Sequence, residues 1–394
     1  MSRIKEIIAA FTKLGFTSFG GPVAHMSFFR AEFVEKRKWL SESEYADLVA
    51  LCQFLPGPSS SQVGFGLGVQ RAGLLGGLAA FICFTLPSAI YLILAALYTE
   101  TLANVFGPGL ISGLKIVATA VVAHAILGMA MSLCKTKITA AIAVVGLLIV
   151  TLVAGALGQI GAIIFGAAIG LFFIEKSTTG AKPIGAQVTG KTLGANVSLV
   201  LFAALLLGLP ALSQVTSNFQ IQLLDSFYRA GALVFGGGHV VLPLLETEMV
   251  STGIVDRDAF LAGYGLTQAA PGPIFSFAAF LGTASAPLPL GLWQAALATL
   301  AIFLPGFLLV YAILPRWEQL RAQPWAKPLL AGANAAVVGL LAGAFYTPIW
   351  QSTVNTTLDF AFVAVAFVLL TVFRIAPWLL VILGGAVGSL MGFL

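Results

Sequence analysis

The chain has 394 residues, 59% of them hydrophobic and 9% charged, with a net charge of +5. Soluble domains carry about 25% charged residues, so this chain cannot cover itself with a polar surface, and a water-soluble globular protein is excluded. The basic excess is not a nucleic-acid signature, because Lys and Arg sit in short loops between apolar runs, where they orient a membrane protein.

Long stretches carry no charge at all: Thr192 to Leu224, Ala259 to Pro315 and Pro328 to Leu358. A membrane-crossing helix needs about 20 apolar residues. The runs are continuous rather than alternating, which argues against a β-barrel. The fold class is therefore an all-α polytopic membrane protein.

Taken in order, Arg3 to Phe29 reads as a helical pattern interrupted at Gly20-Gly21-Pro22. A polar patch follows, and Ser41-Glu42-Ser43-Glu44 is a capping box that predicts a helix start. Pro56-Gly57-Pro58 breaks that helix, and a second short arm runs on to about Gln70. Each arm is about half a bilayer at ~1.5 Å per residue, so residues 42–71 read as a re-entrant hairpin. Full spans are expected at about 73–98, 108–134, 137–153 and 156–174. Residues 176–194 read as a polar linker, and a span follows at about 195–212. The pattern then restarts: a broken helix at 219–245, an N-cap at Asp256, and a second hairpin at about 257–285. The last spans are expected at about 291–314, 327–347, 358–373 and 376–393.

The restart is an internal duplication. Lys13 maps to Arg229, a shift of 216 (229 − 13), and Gln53 maps to Gln268, a shift of 215 (268 − 53). The glycine breaks Gly20-Gly21 and Gly236-Gly237-Gly238 correspond, as do Pro56-Gly57-Pro58 and Pro271-Gly272-Pro273. The expected domains are repeats at 1–175 and 195–394. With the N-terminus in the cytoplasm, Lys36, Arg37, Lys38, Arg71, Lys135, Lys137, Lys176, Lys182, Lys191, Arg316, Arg321, Lys327 and Arg374 fall on the cytoplasmic side, and only Arg257 falls in an outside loop. The second repeat then enters from the opposite face, and Leu394 ends in the periplasm. Inverted repeats with discontinuous helices are the architecture of many secondary transporters.

The breaks carry the chemistry. A broken helix leaves backbone N–H groups unpaired and a positive dipole end inside the membrane, which an anion satisfies. Ser59, Ser60 and Ser61 add N–H and hydroxyl donors at the first turn after Pro58. The candidate substrate-binding residues are Lys13, Gly20, Gly21, Gln53, Pro56, Gly57, Pro58, Ser59, Ser60, Arg229, Gly236, Gly237, Gly238, His239, Gln268, Pro271, Gly272 and Pro273. Glu32 and Glu248 also align and are candidates for coupling or gating. Each has a plainer reading: tight turns for Pro-Gly-Pro, helix contacts for the glycines, snorkelling for Lys13, a solvated carboxylate for Glu32. Retention in both copies favours the functional one for the breaks and the cations. His25, His124 and His239 occupy unmatched positions, and the first two read as core residues. No metal-ligand spacing, nucleotide-binding loop or hydrolase motif is present, so no metal, cofactor or enzymatic activity is expected.

At Phe16-Thr17-Ser18-Phe19-Gly20-Gly21-Pro22, Phe54-Leu55-Pro56-Gly57-Pro58 and their second copies, the sequence resembles the chromate ion transporter family in its long two-domain form. The resemblance implies an inner-membrane secondary transporter that exports chromate and confers chromate resistance, with sulfate as a structural analogue. A sulfate or other oxyanion transporter and a passive anion channel are the alternatives. The expected partners are the oxyanion and the bilayer, with no nucleic acid, and a homodimer is left open.

Overall fold

The computed structural model describes residues 2–107, 109–153, 155–175, 192–216, 218–235, 238–321 and 323–391. Among them there is no strand. The first half comprises α1 (Arg3–Thr17), α2 (Gly21–Phe29), α3 (Glu42–Phe54), α4 (Ser59–Phe106), α5 (Gly109–Leu133), α6 (Lys137–Leu152) and α7 (Ala156–Phe173). A largely exposed helix, α8 (Thr192–Val215), leads to the second half. There follow α9 (Phe219–Leu233), α10 (Val241–Met249), α11 (Arg257–Thr267), α12 (Phe277–Ala284), α13 (Leu290–Ile313), the short α14 (Trp317–Arg321), α15 (Ala326–Ala344), the short α16 (Gln351–Thr353), α17 (Thr357–Thr371) and α18 (Pro377–Met391). Among the described residues, five helical stretches are long and apolar enough to cross a membrane: Ser59–Thr99, Gly109–Leu133, Leu193–Val215, Leu290–Arg316 and Ala326–Thr353.

Local chemistry sets the boundaries. The capping box at Ser41 is formed, with the Glu44 carboxylate accepting from the Ser41 backbone N–H. Asp256 caps α11 by accepting from the amides of Asp258 and Ala259. Thr136 and Thr356 make matching capping boxes at the starts of α6 and α17. α1 stops at Thr17, and the chain turns through Gly20 and Gly21, both at positive φ (100° and 76°), with Pro22 in the first turn of α2. α2 continues into a wider π-helical turn at Arg30–Lys36. α4 is interrupted at Ala72 and Gly73, the predicted end of the first hairpin.

The halves embrace one another. α1 packs on α4, and its counterpart α9 packs on α13. The last two helices of each half instead pack on the other half: α6 and α7 against α15, and α17 and α18 against α5. Glycines permit this contact. A Cβ on Gly113 of α5 would stand 2.0 Å from the Gly384 carbonyl oxygen, and one on Gly332 of α15 would stand 2.0 Å from that of Gly166. Gly388 and Gly170 complete the two matched small-xxx-small seams.

Four of the expected spans are helices of 18 residues or fewer. α6 has 16 residues, α7 18, and α17 and α18 15 each. The threonine caps start α6 and α17 at Lys137 and Thr357, within a residue of the expected positions. Extended backbone at Val153 and positive φ at Gly155 separate α6 from α7. The expected linker at 176–194 lies mostly outside the described residues; α8 begins within it, at Thr192.

Candidate site where crossed hairpin tips meet broken helices

Each hairpin tip hydrogen-bonds to the break of the opposite half. The Gly57 N–H donates to the Val234 carbonyl oxygen at 2.7 Å, and the Gly272 N–H donates to the Ser18 carbonyl oxygen at 2.8 Å. Ser18 and Val234 end α1 and α9 at equivalent positions, as Gly57 and Gly272 are equivalent tips. Both tip glycines have positive φ, 121° and 92°. A Cβ would meet the Gly306 backbone at 3.1 Å from Gly57, and Ser88 Oγ at 3.1 Å and the Phe84 carbonyl at 3.2 Å from Gly272. The Ile274 side chain lies within van der Waals reach of a Cβ built on Gly21 or on Gly238. Both breaks and both tips therefore meet at one place.

Polar groups are concentrated there and only partly satisfied. His25 is fully buried. Its Nδ1 lies 3.2 Å from Ser60 Oγ, and its Nε2 lies 3.2 Å from the Ser18 carbonyl oxygen. Ser88 and Ser276 share a hydrogen bond at 2.7 Å across the halves. The Gln62 amide nitrogen donates to the Pro56 carbonyl at 2.9 Å and the Gly306 carbonyl at 3.3 Å. Ser18 Oγ, Ser61 Oγ, Thr85 Oγ1 and Gln62 Oε1 are buried without a partner. An orphaned buried polar atom costs about 1–3 kcal/mol, so four on the elements that meet here point to a ligand or ordered water. α4 also begins at Ser59, so the amides of its first turn have no intrahelical acceptor.

The charged residues form two further clusters on the helices leading into the breaks. Lys13 lies 3.6 Å from Glu32, which also pairs with Arg37 at 2.7 Å and Lys36 at 3.7 Å. Arg229 pairs with Glu248 at 2.8 Å and Asp225 at 3.0 Å. Ser226 donates to Glu248 at 2.9 Å. Arg229, Asp225 and Glu248 line a cavity of about 350 Å³ with Ser213, Gln222 and Thr252.

The family model for the chromate transporter matches the chain twice, over residues 5–171 and 221–389. The chain belongs to the chromate transporter family. It is 28% identical to the chromate transport protein of Pseudomonas aeruginosa over 85% of this chain and 79% of that protein. It is 27% identical to a probable chromate transport protein of Synechococcus elongatus, over 86% of this chain and 83% of the relative. The chromate transport protein of Cupriavidus metallidurans is 25% identical over 93% of this chain and 88% of its own length. No solved structure matches. Membership in the chromate transporter family makes this chain a multi-pass membrane transport protein rather than an enzyme. The double match agrees with the duplication of the helical pattern.

Within this member of the chromate transporter family, Gly20, Gly21, Pro56, Gly57, Pro58, Ser59, Ser60, Gly238, Pro271, Gly272 and Pro273 belong to the breaks or tips. Gly236 and Gly237 lie outside the described residues, as does the side chain of His239. Pro58 stands at the N-cap of α4 rather than at its first helical position, because its ψ of 83° is not helical. Gln53 is exposed on α3, whereas Gln268 is half-buried, its amide nitrogen without a partner. Lys13 and Arg229 are drawn to Glu32 and Glu248, so the two aligned cations and two aligned carboxylates form two ion pairs. Lys115 pairs with Asp258, and His124 Nδ1 lies 3.2 Å from Thr371 Oγ1. Sequence reasoning missed Ser18, His25, Gln62, Ser88 and Asp225 as members of these clusters. The run Ser59-Ser60-Ser61-Gln62 in an apolar chain was the available signal for Gln62.

Proposed function

We propose that this protein is a secondary transporter that exports chromate across the bacterial inner membrane by alternating access. The oxyanion is held where the crossed tips meet the broken helices. The reciprocal hydrogen bonds, Gly57 to Val234 and Gly272 to Ser18, carry this reading, because they join the mobile units of an alternating-access cycle through the site itself. The first-turn amides of α4 and the hydroxyls of Ser18, Ser60 and Ser61 offer donors to a tetrahedral oxyanion, and the dipole of α4 favours negative charge. Chromate as the cargo comes from the relatives' names, and sulfate has the same shape and charge.

In this reading the chain has inverted repeats, the N-terminus is cytoplasmic and the C-terminus periplasmic. The Lys13–Glu32 and Arg229–Glu248 pairs then stand on opposite sides of the site and act as gates. Each carboxylate holds its cation until the oxyanion takes the carboxylate's place. Gln53 and Gln268 lie on the hairpin arms that approach the site.

Reconstitution into proteoliposomes tests this. Radiolabelled chromate or sulfate should show saturable uptake and accelerated exchange when unlabelled oxyanion is on the other side. Flux that does not saturate and shows no counterflow would replace the carrier with a channel.

A further inference from the structure

We infer that His25 is the proton-binding residue of the transport cycle: it takes up one proton when the oxyanion binds and releases it when the oxyanion leaves. This rests on the crossed tips being the oxyanion site. The tautomer follows from geometry. Nε2 lies 3.2 Å from the Ser18 carbonyl oxygen, which can only accept, so Nε2 carries a hydrogen. In the neutral ring Nδ1 is then an acceptor, and Ser60, 3.2 Å away, must donate to it. The only hydroxyl hydrogen of Ser60 is thereby turned toward His25, and lone pairs face everything else. An oxyanion presents acceptors, so this arrangement repels it.

One proton added at Nδ1 reverses the hydrogen bond. Nδ1–H now donates, Ser60 Oγ accepts, and the Ser60 hydroxyl hydrogen is free to turn to the oxyanion. The only bond formed is N–H; the ring goes from neutral to singly positive, and a dianion travels with its proton as one net negative charge. The imidazolium is costly in a buried site, and the neighbouring oxyanion offsets that cost. Each ligand therefore raises the affinity for the other.

The surroundings leave this role to His25. The aromatic side chains against its ring are Phe29 and Phe84, neither of which ionises. Lys13, Lys36 and Arg37 around α2 are engaged with Glu32, Arg30 with Glu35 and Glu42, and Arg71 of α4 with Glu6. The Ser18 carbonyl that fixes the tautomer also accepts from Gly272, so the ring is tied to the opposite tip. The equivalent of His25 in the second half is Val241, which gives a stoichiometry of one proton.

The test is calorimetric titration of the purified full-length protein with sulfate, which stays a dianion across neutral pH, in two buffers of different ionisation enthalpy. Wild-type protein should take up close to one proton per sulfate bound, and affinity should fall about tenfold per pH unit as pH rises. His25→Gln keeps a donor and an acceptor but cannot hold the proton; its binding should be weaker and independent of pH. Ser60→Ala retains the imidazole but removes the hydroxyl, and should also lose the pH slope. Undiminished proton uptake in either variant, or sulfate binding by wild type without proton uptake, overturns the role of His25 and leaves the oxyanion site standing. If neither sulfate nor chromate binds wild-type protein at any pH, the site and the proton role fall together.

Discussion

The two halves use the same backbone device with different side chains. In the first half, the break and the arm after the tip carry Ser18, His25, Ser59, Ser60, Ser61 and Gln62. The equivalent positions in the second half are Val234, Val241, Ile274, Phe275, Ser276 and Phe277. Yet Gly57 and Gly272 donate to the opposite break with bonds within 0.1 Å of each other, 2.7 and 2.8 Å. A backbone hydrogen bond is indifferent to the side chains beside it. The duplicated scaffold can thus be kept while one copy becomes a polar face and the other an apolar one. The charge clusters diverge in the same way: Asp225 stands where the first half has Ala9.

If the crossed glycine bonds are the shared element, altering either should have the largest effect. Gly57→Ala and Gly272→Ala each place a Cβ at positive φ and against backbone, at a cost of about 1–3 kcal/mol for the dihedral alone. Both should abolish oxyanion flux in proteoliposomes, while Pro58→Ala, which strains nothing, keeps most of it. Full activity in one glycine variant would show that the two tips are not equivalent.

The charge clusters should respond unequally. Arg229→Gln leaves Asp225 and Glu248, both largely buried, without their cation, and should lower stability by about 3 kcal/mol, read as thermal unfolding in detergent. Lys13→Gln leaves Glu32 its bonds to Arg37 and Lys36, and should barely shift the transition. Equal shifts would erase this part of the contrast.

The exchanged helices should behave alike. Gly113→Ala and Gly332→Ala force Cβ atoms onto the Gly384 and Gly166 carbonyls, and each should cost about 2 kcal/mol of overpacking. A difference of more than half between them would mean the two seams carry unequal load. A smaller effect than that of the glycine changes is expected of Ser88→Ala, which removes its hydrogen bonds to Ser276 and to the Thr85 carbonyl and should cost about 1 kcal/mol in the same unfolding measurement.

The breaks, the capping box at Ser41 and the N-cap at Asp256 were legible in the sequence because their causes are local: glycine, proline and a side chain within three residues. The crossing was not, since no pattern near residue 57 says that its amide will meet residue 234. The exchange of α6 and α7 for α17 and α18 was hidden for the same reason, although the matched glycines of α5 and α15 were visible. His25 escaped because a duplication directs attention to positions that agree between copies, and this histidine matters at a position where they differ. Lys13 and Glu32 were each recognised by alignment, but only three dimensions show that they find one another.

The exchanged hairpins have a consequence for biosynthesis. α6 and α7 leave the ribosome long before α15, the helix on which they rest. At roughly 5–20 residues per second that interval is on the order of 10–40 s. Through it, the bare glycine face of Gly166 and Gly170 must wait in the lipid beside a half-built chain. The first half cannot close until the second arrives.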